Sequence, residues 1–126
     1  MAFKFHLSSG LFSLPAGAAS VDWAALNNSP SQQDIQVTVF QCPGGGPKTI
    51  ISPGPQTMTI DPSAGVHNAN PVGNDGPFLP GMYYEVAIDT NDRRVLPMVS
   101  VWSDHEGTMI PGTLISARDF LHLVDP

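Results

Sequence analysis

Apolar residues alternate with polar ones along most of the chain. In "AFKFHL", Phe3, Phe5 and Leu7 fall on one face, with Lys4 and His6 on the other. "DIQVTVF" alternates through Ile35, Val37 and Val39, and "TMTI" through Met58 and Ile60. "MYYEVAID" sets Met82, Tyr84, Val86 and Ile88 opposite Tyr83, Glu85, Ala87 and Asp89. "VLPMVSVW" follows the turn signal "TNDRR", so the two runs read as a hairpin; "GTLIS" and "FLHLV" close the chain. A period of two predicts strands, because successive side chains on a strand point to opposite faces. Polar, glycine- and proline-rich stretches such as "NNSPSQQ" and "PGGGPK" punctuate these runs as turns do. Seven to nine short strands at this spacing predict an all-β, antiparallel β-sandwich or jelly roll. Proline cannot donate to a central ladder, so Pro97 marks an edge or a bulge. The stretch from Pro62 to Pro80 shows no alternating run and reads as a long surface excursion.

The length, 126 residues, suits one domain with a single core. Charged residues make up only 13 % and are outnumbered by Ser, Thr, Asn and Gln, so the surface is polar but weakly charged. A net charge of -6, with no basic cluster, argues against nucleic acid. Membrane insertion is not expected, since nothing approaches 18 consecutive apolar residues. One cysteine, Cys42, excludes an intrachain disulfide and a cysteine-rich zinc site.

Catalytic chemistry finds little purchase. His6 and His122 sit in strand-like alternation, and His67 lies in the long excursion. Asp104, His105 and Glu106 are sequence neighbours that diverge on a turn, whereas metal ligands converge from separate segments. "DTNDR" has the acidic density of a weak calcium loop but lacks its glycine and terminal glutamate, and reads as a plain turn. Cys42 has no helix N-terminus to depress its pKa, and "GGGPKT" fails the phosphate-loop template. The expectation is a non-enzymatic chain with no catalytic residues, no cofactor and no metal. Trp23 and Trp102 both lie in strand-like runs and read as core; in the alternative reading Trp102 or Tyr83, beside the loop from His67 to Phe78, offers a stacking surface for carbohydrate.

The segments "WAALNNS", "DIQVTVFQ", "MYYEVAID", "RRVLPMVSVWSDHEG" and "ISARDFLHLV" resemble, in order and pattern, small β-sandwich domains of spore-forming bacteria. More loosely, the layout is similar to the self-assembling fibre subunits of endospore appendages, in which a jelly roll follows an N-terminal connector. The resemblance implies a structural subunit at the spore surface or outside the cell, without a conventional signal peptide. The first residues agree with the last point, since His6, Ser8, Ser9 and Gly10 interrupt any apolar run.

Residues 1–20 thus read as an N-terminal extended arm or connector, and 21–126 as the sandwich domain. Phe3, Phe5, Leu7, Leu11, Phe12 and Leu14 are its apolar contacts. A strand tied to its own sheet and one added to a neighbour's edge satisfy this pattern equally. Low charge density removes one defence against addition, so the expected function is homopolymer assembly into a fibre by strand addition. The alternative is a carbohydrate-binding or virion decoration module, with His67, Phe78, Tyr83 and Trp102 as its surface.

Overall fold

A computed structural model describes residues 3–14, 18–43, 46–51, 54–71, 83–103, 109–110 and 112–123. Ten strands follow in order: β1 (Phe5–Ser8), β2 (Phe12–Ser13), β3 (Ala18–Asn27), β4 (Gln33–Cys42), β5 (Thr49–Ile50), β6 (Gln56–Ile60), β7 (Gly65–Pro71), β8 (Tyr83–Thr90), β9 (Val95–Ser103) and β10 (Leu121–Leu123). A 3₁₀ turn at Ala117–Asp119 precedes the last. The fold is an antiparallel β-sandwich.

The larger sheet runs β10-β1-β8-β4-β5, with β2 also on β8 and β6 also on β4. Since β1 and β2 lie end to end along β8, and β5 and β6 along β4, its seven strands make five rows. The smaller sheet is β7-β3-β9. The alternation decides which side chains meet. Ile35, Val37 and Val39 of β4 and Tyr84, Val86 and Ile88 of β8 are buried against Val21, Trp23, Val99 and Val101 of the smaller sheet. Tyr83 and Tyr84 part company as the period of two requires: Tyr84 is fully buried and Tyr83 is 52 % exposed.

Asn27 closes the corner where β3 crosses to β4. Its side-chain amide donates to the carbonyls of Ser31 and Ile60, at 2.9 and 3.0 Å. Its Oδ1 accepts from the backbone N–H and the hydroxyl of Ser29, at 2.9 and 2.7 Å. One buried side chain thus satisfies groups from two turns that would otherwise be costly to enclose.

Three expectations change. "TNDRR" is not a hairpin: β8 belongs to the larger sheet and β9 to the smaller, so the turn carries the chain across the sandwich. Arg94 closes it by donating to Asp92 through Nε and Nη2, at 2.9 and 2.7 Å. The excursion after Pro62 is in part a strand, because β7 pairs with β3 from Gly65 to Pro71 despite its lack of alternation. Residues expected as an arm take places in their own sheet. β1 lies between β8 and β10, β2 pairs with β8, and β3 already begins at Ala18. Leu7 and Leu14 join the core, Phe12 packs against Tyr84 with ring centroids 6.5 Å apart, and Phe3 and Phe5 are half-buried. The reason is local: Leu7 opposes Ile88, so the apolar face of β1 continues that of β8.

Pro97 behaves as an edge residue. The N–H groups of Val99 and Val101 point away from β3, to the Ile115 carbonyl and the Thr113 hydroxyl. Two residues earlier, the Pro97 nitrogen faces the same way, so its missing proton costs the β3–β9 ladder nothing.

Candidate ligand-binding face

The smaller sheet has a core side and an outer side, set by the same alternation. Val21, Trp23, Ala25 and Asn27 of β3 point inward and are buried. Asp22, Ala24 and Leu26 therefore point outward, and the register lays their neighbours beside them. Asp22 pairs with Ser100, Ala24 with Met98 and His67 on its two sides, and Leu26 with Leu96 and Gly65. Small Ala24 between larger Met98 and His67 makes the floor of a trough along β3. Toward Leu26 and Leu96 it holds about 400 Å³; toward Asp22 and Trp102 it holds about 340 Å³. Ala24, His67 and Met98 line both halves, so they form one continuous depression.

The two ends differ in chemistry. At one, Leu26, Leu96 and Met98 are about two-fifths exposed, at 40 %, 41 % and 37 %. At the other, the Trp102 indole N–H donates to the buried Ser100 hydroxyl at 2.8 Å, which fixes the ring at the rim. The Ser20 hydroxyl donates to Asp22 Oδ1 at 2.5 Å and orients the carboxylate. This end thus offers an oriented aromatic ring, a carboxylate and an imidazole in a depression whose lining is mostly apolar.

Of the residues named from the sequence, the fold brings His67 and Trp102 to this face. Tyr83 lies on the larger sheet, away from them. Phe78 and the turn of Asp104, His105 and Glu106 lie outside the described residues. Sequence reasoning missed Asp22, Ala24, Leu96 and Met98. Their signal was present: on "VLPMVSVW", Leu96 and Met98 are the alternate partners of core valines and are nevertheless apolar.

The larger sheet's outer face is built differently. The Ser8 hydroxyl donates to Glu85 Oε2, and Lys48 Nζ donates to Glu85 Oε1 at 2.8 Å while resting 4.3 Å from the centroid of the Phe40 ring. His6 Nδ1 lies 2.7 Å from Asp89 Oδ1. Cys42 is half-buried nearby. Burial, and then the Glu85 carboxylate, push its thiol above the ordinary value, against the pull of the Lys48 ammonium. Near neutral pH the sulfur therefore carries its proton, the unreactive form. Among the described residues, no group of three or more His, Cys, Asp or Glu side chains could hold a metal ion, and no helix is long and apolar enough to cross a membrane.

No protein-family model and no curated protein matches the chain. Two solved structures are similar to it. The crystal structure of Thermotoga maritima 1070 superposes with a TM-score of 0.53 at 14 % identity, covering 92 % of each chain. The Anabaena sensory rhodopsin transducer superposes with a TM-score of 0.42 at 13 % identity, covering 79 % of this chain and 82 % of that one. The likeness to the Thermotoga maritima protein is one of fold, and a shared fold does not carry a shared function.

Proposed function

We propose that the chain is a non-enzymatic binding module whose ligand face is the trough on the smaller sheet, and whose ligand class is carbohydrate. The observation that carries this reading is the meeting of Trp102, Asp22 and His67 around an Ala24 floor, from three different strands. A sugar ring presents C–H groups on its faces and hydroxyls at its rim. An indole face suits the former, and a carboxylate and an imidazole suit the latter. The chain's low share of charged residues, 13 %, favours a neutral ligand over an ionic one. An extracellular or spore-surface location accords with such a ligand. The fibre reading, with the N-terminal strand added to a neighbour, has less behind it, because Leu7 and Ser8 are buried within their own sheet.

A glycan array probed with the intact chain, then with Trp102→Ala and Asp22→Asn, tests the proposal. Binding to a defined set of neutral glycans is expected, weakened about tenfold or more by Trp102→Ala, as for an aromatic anchor. An empty array, or binding that neither substitution alters, overturns it.

A further inference from the structure

The seat of β1 has a property that the ligand face does not explain. β10 hydrogen-bonds to β1 and, among the described strands, to no other, so β1 is the keystone between the two ends of the chain. Both strands that flank β1 come from residues more than seventy positions away. Leu7 opposes Ile88, His6 meets Asp89, and Ser8 meets Glu85. The Arg93 guanidinium lies 5.0 Å from the centroid of the Phe5 ring, and the Lys4 N–H donates to Asn91 Oδ1 at 3.1 Å. Nothing in such a slot distinguishes the chain's own strand from that of another copy. We infer that the slot between β8 and β10 also accepts residues 5–8 of a second copy, so that two chains exchange first strands reciprocally and form a closed dimer.

Ser9 moves with β1, since its N–H donates to the Val86 carbonyl and its hydroxyl accepts from the Val86 N–H, at 3.0 and 2.9 Å. Two features of the remaining link, Gly10 and Leu11, favour exchange. Gly10 holds φ at +72°, a conformation that glycine adopts readily and other residues adopt only under strain, and a Cβ there would meet nothing within 4 Å. Strand exchange needs a short segment that can switch conformation without steric obstruction, and this one fits. The next residue, Leu11, is 65 % exposed, the most exposed large apolar side chain among the described residues. In the monomer it is wasted; in an exchanged pair two links run side by side and can cover two such leucines. When each copy fills the other's slot no slot is left empty, so a reciprocal exchange closes at two copies.

The test uses His6 and Asp89, which are register partners, in chains that also carry Cys42→Ser. A chain with both His6→Cys and Asp89→Cys forms an intrachain disulfide on oxidation, which establishes that the pair is close enough to bridge. Two chains of different tagged mass, one carrying only His6→Cys and the other only Asp89→Cys, are then incubated together at high concentration and oxidised. The expected result is a disulfide-linked heterodimer whose yield rises with concentration and disappears on reduction. Introducing Gly10→Ala in both chains raises that yield by roughly tenfold, because the closed link becomes strained and the exchanged link is free to relax. Formation of the intrachain bond without any heterodimer, or a yield that Gly10→Ala leaves unchanged, overturns the inference.

Discussion

The outer faces of the two sheets answer the same problem in opposite ways. On the larger sheet, polar groups turn toward one another: Glu85 takes a proton donor from each side, Ser8 and Lys48, and His6 is matched to Asp89. Its polar groups are matched to one another, and its exposed apolar side chains, Ile50, Tyr83, Leu121 and Leu123, stand on the edge strands β5 and β10 and at the end of β8. On the smaller sheet, three large apolar side chains flank a trough, and the polar groups stand at one end. A contiguous apolar surface with a polar rim is costly to leave in water unless something uses it. The contrast is between a face whose polar groups are tied into the fold and one with a concave apolar floor, and it predicts different consequences for substitutions on each.

The largest effect belongs to the smaller sheet itself, between its two sides. Trp23 is fully buried and Trp102 only partly. Trp23→Ala leaves a cavity in the core and is expected to cost about 3–5 kcal/mol. Trp102→Ala loses partial burial and one hydrogen bond, and is expected to cost about 1–2 kcal/mol. Guanidinium denaturation of the two variants measures the difference. Equal losses place Trp102 in the core and remove the trough's polar end.

The comparison between outer faces follows. Glu85→Ala strips the acceptor from a buried hydroxyl and from Lys48, and is expected to cost about 2 kcal/mol. Met98→Thr, on the opposite outer face, changes stability by no more than about 0.5 kcal/mol, as surface substitutions do. A Met98→Thr loss as large as that of Glu85→Ala makes the trough a structural surface and the contrast false.

How much of this was readable in advance depends on whether a feature is local. Alternation identified "DIQVTVF" and "MYYEVAID" because their core faces need nothing beyond the period of two. "GVHNANP" gave no such signal, since β7 is held by its ladder to β3 and not by an apolar stripe of its own. "TNDRR" announced a reversal correctly, but turn chemistry does not specify which sheet the next strand joins. The first strand was recognised as a strand, while its partners lie at residues 87–90 and 121–123, a distance no pattern encodes. The trough was half legible for the same reason. Aromatic Trp102 and polar His67 drew notice by residue type, whereas Ala24 matters only through the neighbours that register gives it.

The smallest effect lies at the link between the sheets. Asp92 is held down to about 2, chiefly by the Arg94 side-chain hydrogen bond and then by the Arg94 backbone N–H, from an ordinary value of 3.8. Arg94 is correspondingly raised. A carboxyl whose folded value lies below its unfolded value binds its proton less readily when folded. Its contribution is therefore fully present above about pH 4 and is lost as pH falls through 2. The Arg94 side chain is exposed on the turn, where solvent screens the pair, so the change in stability is small. Urea midpoints between pH 5 and pH 2 are expected to fall less steeply in Asp92→Asn than in the parent chain. At pH 7 the variant is slightly the less stable of the two. High salt should narrow that gap, because the attraction between exposed charges is screened. Identical slopes in the two chains show that the crossing between the sheets is held by the backbone turn alone, with the ion pair adding nothing to it.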